Sequence, residues 1–225
     1  MNSRKTIGIA SPLARNDIMK RIGIFGGTFN PIHVGHLKMA EAARKEYKLS
    51  CVYFIPCGIP PHKSRQKLFP AQFRYELVKR AIKGRKYFKV LDIEIKKRKP
   101  AYTIDTILSL QGVHIGRTTK QSQLNSRKMI RLASPLARND KIILYFLIGA
   151  DEFEKLNTWN KPIQLAKLVT FLVLPRPSKN IKAPKIKNLK WSLVHTKPIN
   201  ISSSQIRDLI KQKKSIRGLV PVSLS

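Results

Sequence analysis

Short apolar runs alternate with amphipathic stretches along most of this chain, and that alternation restricts its fold more than any other feature. Arg21–Phe25 is an apolar run ending in Gly26-Gly27, the pattern of a buried parallel strand entering a tight turn. Gly35–Leu49 follows as a helix with Leu37, Ala40, Ala43 and Tyr47 on one stripe. Cys51–Ile55 reads as the next strand, closed by Pro56 and Gly58, and a helix begins near Pro70 with Phe73, Leu77 and Ala81 at spacing four. Phe88–Ile95 reads as a strand, and Thr103–Leu110 as a helix with Ile104, Ile107 and Leu108 inward. Ile142–Ile148, Val169–Leu174 and Trp191–Val194 are further strands. Ser203–Lys213 is a last helix, with Ser202 or Ser203 as its cap. Alternation of this kind predicts an open, mostly parallel α/β sheet with helices on both faces. Such sheets bind ligands beyond the carboxyl ends of their strands, at a switch in strand order.

At 225 residues the chain fits one domain with a sizeable core. Its longest apolar run, Ile142–Ala150, is too short to span a bilayer, so no transmembrane helix is expected. Cys51 and Cys57 match neither a zinc spacing nor a disulfide framework, which points to a reducing cytoplasm. The outlier is charge: 45 Lys and Arg against 12 Asp and Glu give +33. A polyanionic partner would account for it. The basic residues are spread along the chain, however, and no cluster is interleaved with aromatics as a single-strand binder would show. That spread favours a compositional bias over a nucleic-acid surface.

One string occurs twice. NSRKTIGIASPLARND at residues 2–17 returns as NSRKMIRLASPLARND at 125–140, identical at 13 of 16 positions. Two copies do not make a solenoid, and a targeting signal has no reason to recur internally. An inserted element read in frame at two places is the simpler account. Insertions are tolerated at termini and loop tips, where lengthening costs little closure entropy. Residues 1–18 are therefore read as an N-terminal extension and about 112–140 as an inserted loop, interrupting a domain over 19–225. Met19 reads as the older start.

The chemistry concentrates after the first strand, in Gly26-Gly27-Thr28-Phe29-Asn30-Pro31-Ile32-His33-Val34-Gly35-His36. Two glycines let backbone N–H groups approach a phosphate. His33 and His36 frame Gly35 at a helix start, where N–H groups and the helix dipole both favour an anion. Neither the P-loop pattern nor GxGxxG is present, so this is a different phosphate-binding device.

GGTFNPIHVGHL, from Gly26 to Leu37, resembles the signature of the HxGH nucleotidyltransferase superfamily, and Ile201–Arg207 (ISSSQIR) resembles its second motif, ISSTxxR. Between them lie Pro60-Pro61-His62-Lys63, Ala101-Tyr102-Thr103-Ile104-Asp105-Thr106, and Gly149-Ala150-Asp151 followed by Trp159. These are similar to bacterial nicotinate-nucleotide adenylyltransferases from Met19 to about Pro221, apart from the insert. The resemblance implies a Rossmann-like fold and a cytoplasmic enzyme that transfers AMP from ATP to nicotinate mononucleotide, giving deamido-NAD and pyrophosphate in NAD biosynthesis. It implies that His33, His36 and Arg207 are catalytic, and that Gly26, Gly27, Thr28, Phe29, Lys63, Ser202 and Ser203 hold the ATP phosphates. Thr103, Asp151 and Trp159 would bind the mononucleotide, with the indole on the pyridine ring. Mg²⁺ would be bound mainly through ATP phosphates, with no dedicated metal ligands in the protein.

Two departures from the family pattern stand out. Asn30 replaces a frequent aspartate, and the chain stops at Ser225 where the family usually continues with a helix, so packing there is expected to be reduced. Competing readings are a sister transferase with another acceptor (nicotinamide mononucleotide or phosphopantetheine), a non-catalytic basic nucleic-acid binder, and a folded but inactive relic. Trp159 and Ala101-Tyr102-Thr103 argue against the first.

Overall fold

A computed structural model describes residues 19–60, 68–97, 99–111, 142–176, 180–197 and 199–224. Both copies of the repeated string lie outside the described residues, as do His62, Lys63 and His114. The element order is β1 (Lys20–Gly27), α1 (Val34–Glu46), β2 (Cys51–Pro56), α2 (Ala71–Ala81), β3 (Phe88–Val90), α3 (Thr103–Leu110), β4 (Ile142–Gly149), α4 (Ala150–Phe153), α5 (Pro162–Leu168), β5 (Thr170–Leu174), β6 (Trp191–Leu193) and α6 (Ser203–Lys211). Short 3₁₀ turns cover Leu156–Thr158 and Val222–Leu224.

The six strands form one sheet in the order β3-β2-β1-β4-β5-β6, and every neighbouring pair is parallel. The chain builds outward from β1 to β3, then crosses back to start again at β4 on the other side of β1. The order therefore reverses between β1 and β4. Connections leaving the two strands diverge there, and a crevice opens beyond their carboxyl ends.

Alternate residues along each strand feed opposite faces. Ile22 and Ile24 of β1 join Tyr53, Phe146 and Phe171 under Ile104 and Ile107 of α3 and Leu165 of α5. Phe25 joins Val52, Phe54, Leu147 and Leu172 under Leu37 and Ala40 of α1 and Val78 of α2. Strands covered on both sides need to be apolar throughout, and β2 is buried at all of its six positions. This is the Rossmann-like architecture that the alternation predicts.

Three local readings need correction. The apolar stretch after Phe88 leaves the sheet at Val90, and residues 92–97 turn, with Lys96 N–H on the Asp92 carbonyl and Lys97 N–H on the Glu94 carbonyl. Leu91 and Ile93 imitate a strand's period because both pack on the core. In α2 the buried side chains are Arg74, Val78 and Ala81, while Phe73 is exposed. An arginine in the inward row hid the true stripe. Helix α5 was not apparent, although Pro162 at its first turn is a favourable start.

The end of the chain is packed. Val220 is buried, Leu224 sits against the α1–α2 core, and Ser223 Oγ donates to the Arg80 carbonyl at 3.1 Å.

Candidate active site

Beyond Gly27 the chain leaves β1 in a tight loop. Phe29 takes a left-handed conformation (φ 45°), which drives its ring inward onto Phe25 and Phe54. Phe29 as a whole is 2% exposed, so its side chain is part of the core. The Asn30–Pro31 peptide is cis. Asn30 is buried, and its Oδ1 accepts the Phe69 N–H at 2.8 Å, tying the loop to the start of α2. The amide keeps an acceptor at the position where an aspartate is frequent, without the charge.

His33 is the N-cap residue of α1, in extended conformation, and its main-chain N–H donates to His36 Nδ1 at 3.2 Å. That bond leaves Nε2 as the proton-bearing nitrogen of His36. The imidazoles stack with centroids 3.6 Å apart. Gly35 makes this possible. A Cβ there would lie 2.9 Å from His33 Nδ1 and 3.0 Å from Cε1. Burial, and then the positive field of Arg176, lowers the His33 pKa to about 4. The same causes, with His33 itself, hold His36 well below the ordinary histidine value. Both rings are therefore neutral at pH 7 in the unliganded protein.

The second motif arrives at the same loop from the far end of the chain. Ser202 caps α6 by accepting the Gln205 N–H at 3.1 Å, as its position before an amphipathic run suggests. Ser203 Oγ donates to the Pro31 carbonyl at 2.9 Å. Arg207 Nη1 donates to the Asn30 carbonyl at 2.8 Å, and Nη2 to Ser204 Oγ at 3.1 Å. Arg207 and the histidines thus share one loop despite their separation in sequence.

A cavity of about 570 Å³ borders the glycine turn, and His33, His36 and Arg207 are not among its lining residues. Gly26, Gly27 and Thr28 form one wall, Thr103 and Trp159 others, and Phe146 and Ile148 of β4 the base. Trp159 stands edge-on to Phe146, centroids 5.9 Å apart. Asp151 is not among the lining residues. It pairs with Arg176 Nε at 3.2 Å. The N-cap of α4 is Gly149. His195 lies apart, hydrogen-bonded to Glu46 on the surface.

The model of the cytidylyltransferase-like family matches residues 24–209. The probable nicotinate-nucleotide adenylyltransferase of Dehalococcoides mccartyi (strain ATCC BAA-2266 / KCTC 15142 / 195) is 35% identical over 212 residues, covering 91% of this chain and 92% of the relative. The chain belongs to the nicotinate-nucleotide adenylyltransferase family. A second family member, from Shouchella clausii (strain KSM-K16), is 37% identical over 205 residues and covers 90% of each chain. Among solved structures, the nicotinic acid mononucleotide adenylyltransferase of Plasmodium falciparum complexed with NaAD superposes with a TM-score of 0.57 at 18% identity, over 91% of this chain and 93% of that one. At that identity the likeness shows the shared fold.

Two residues of this family member escaped the sequence reading. Arg176 follows Pro175 directly beyond the carboxyl end of β5, and that placement was its only signal. Glu94 lines the cavity and accepts the Thr106 hydroxyl at 2.8 Å, while burial pushes its carboxyl pKa up. It was hidden in a stretch read as strand. No helix among the described residues is long and apolar enough to cross a membrane.

Proposed function

We propose that this protein transfers AMP from ATP to nicotinate mononucleotide in the cytoplasm, releasing pyrophosphate and forming deamido-NAD. The observation that carries the reading is the meeting of the two nucleotidyltransferase motifs on one loop, Arg207 on Asn30 and Ser203 on Pro31. The names of the family relatives support the same acceptor.

The acceptor phosphate is itself the nucleophile. With a second pKa of about 6 it is already anionic at neutral pH, so no general base is needed. The phosphate attacks the α-phosphorus in line, and the bond to the pyrophosphate oxygen breaks. What the protein supplies is alignment and charge neutralisation. Backbone N–H groups of Gly26–Thr28 face the transferring group, Nε2–H of His36 donates to a phosphate oxygen, and Arg207 grips the leaving pyrophosphate through its planar fork. Lys63 is a further phosphate ligand in this reading. Thr103 and Trp159 receive the nicotinate ring in the cavity that borders the glycine turn.

Magnesium enters with ATP. In this reading Mg²⁺ would be carried mainly by the phosphate oxygens of ATP rather than by a dedicated set of protein ligands. Bound there, it offsets phosphate charge.

The test is acceptor profiling with ATP and Mg²⁺, following the dinucleotide and pyrophosphate with nicotinate mononucleotide, nicotinamide mononucleotide and phosphopantetheine in parallel. Preferential turnover of the acid mononucleotide supports the proposal. Turnover with phosphopantetheine alone, or none from folded protein, contradicts it.

A further inference from the structure

Arg74 is the most deeply buried charged side chain in the core, 1% exposed, and it has no part in the proposed reaction. Each of its guanidinium nitrogens donates to a different backbone carbonyl. Nε reaches Phe69 at 3.0 Å, Nη1 reaches Thr28 at 2.6 Å, and Nη2 reaches Gly58 at 3.0 Å. The three carbonyls come from separate segments that border the site: the loop after β1, the loop after β2 and the entry to α2.

Those segments are also linked to one another. Asn30 Oδ1 holds the Phe69 N–H, and the Cys57 N–H donates to the Gly27 carbonyl at 2.8 Å. Gly58 lies so close to the Glu94 backbone that any Cβ would collide with its carbonyl oxygen. Arg74 joins this set and reaches, through Nη1, the carbonyl of Thr28, which lines the cavity with Gly26 and Gly27. Three carbonyl groups take up three of its five N–H donors, and they do not neutralise its charge.

Among the described residues no carboxylate pairs with Arg74. Burial lowers its pKa from the ordinary arginine value, yet a guanidinium stays protonated in a protein. An unpaired buried cation is costly, and an apolar residue would fill the space at lower cost. A charge kept there without a carboxylate partner among the described residues is suited to a ligand that brings a counter-ion.

We infer that Arg74 is a positioning residue of the phosphate site, fixing the glycine turn through Thr28 and giving it a buried positive charge whose counter-ion is the polyphosphate of the bound nucleotide. Arg74 does not touch the substrate. Its fork sets the angle of the turn, and its charge adds to the field in front of it. The two contributions are separable, because lysine keeps the charge and lacks the planar fork. The inference rests on the proposed function only in taking this crevice as a polyphosphate site.

The experiment measures binding of sodium tripolyphosphate by calorimetry, with turnover and thermal unfolding recorded on the same samples, for wild type, Arg74→Gln and Arg74→Lys. Arg74→Gln should bind about tenfold more weakly, and Arg74→Lys within about threefold of wild type. Turnover of Arg74→Lys should still fall about tenfold, because the turn is no longer held by a fork. Restored binding at a melting temperature no better than that of Arg74→Gln separates charge from scaffold. Equal affinity in wild type and Arg74→Gln overturns the inference and leaves the proposed function standing. If Arg74→Gln does not fold, Arg74→Lys decides alone: binding weakened about tenfold, or turnover unchanged, overturns the inference. Wild type that binds no tripolyphosphate overturns both readings.

Discussion

The imidazoles of His33 and His36 lie one over the other, centroids 3.6 Å apart, with the main-chain N–H of His33 on Nδ1 of His36. Burial keeps both neutral in the free protein, and Arg176 adds to the effect. The neutral state has a consequence for stability. A histidine with a folded pKa near 4 binds its proton more readily in the unfolded chain, whose value is the ordinary 6.5. Stability from this residue is therefore complete above pH 6.5 and is lost as pH falls towards 4. Going from pH 7 to pH 5 should cost about 2 kcal/mol from His33 alone, with His36 acting in the same direction. Urea unfolding at the two pH values checks this. His33→Gln should flatten the dependence, and an unchanged slope in that variant would contradict the assigned cause.

Gly35→Ala isolates the geometry of the stack. The added methyl meets the His33 ring at 2.9 Å and Ile199 Cγ2 at 3.3 Å, so the imidazole must turn away. Alanine is also the better helix former by about 1 kcal/mol, which offsets part of the clash. The expected outcome is a melting temperature close to wild type and a kcat at least about tenfold lower. Full activity would mean that the ring position is not needed.

Arg207 links the carboxyl-terminal motif to the glycine loop through Asn30. Arg207→Lys keeps a cation but loses bidentate contact, and kcat/KM should drop about a hundredfold. The stability change should stay near 1 kcal/mol, since of its two hydrogen bonds one is exposed and the other only partly buried. Steady-state kinetics with denaturant unfolding distinguishes this from a folding defect.

Trp159→Ala tests which side of the turn receives the acceptor. Loss of a ring–ring stack is worth about 1–3 kcal/mol by analogy with base stacking on aromatics, so KM for the mononucleotide should rise at least about fivefold. Binding of ATP analogues should not change. If instead only thermal stability falls, the indole is a core aromatic, packed on Phe146 and nothing more.

The sheet was legible because its strands are buried on both faces. Gly26-Gly27 after Phe25 and Gly149 after Ile148 mark the carboxyl ends that flank the switch point. The histidine pair and ISSSQIR were legible as motifs because their spacing serves a local task, capping α1 and α6. Arg176 and Arg74 were not. Their roles depend on neighbours from other strands and loops, and a basic residue in a chain of charge +33 carries little signal by itself. The turn at Glu94 was missed for a related reason: alternating apolar residues there pack on the core without pairing in the sheet. The inward turn of the Phe29 ring was not legible either, because a left-handed backbone cannot be inferred from a phenylalanine.

The most direct test is a crystal structure of the protein with Mg²⁺ and an ATP analogue carrying a methylene bridge between the α and β phosphates. The account predicts the triphosphate across the crevice between β1 and β4, within hydrogen-bonding reach of His36 Nε2 and the Arg207 guanidinium, with the mouth of the Trp159 cavity open to the α-phosphate. A triphosphate bound elsewhere on the molecule, with the histidines and Arg207 left out of contact, would contradict it.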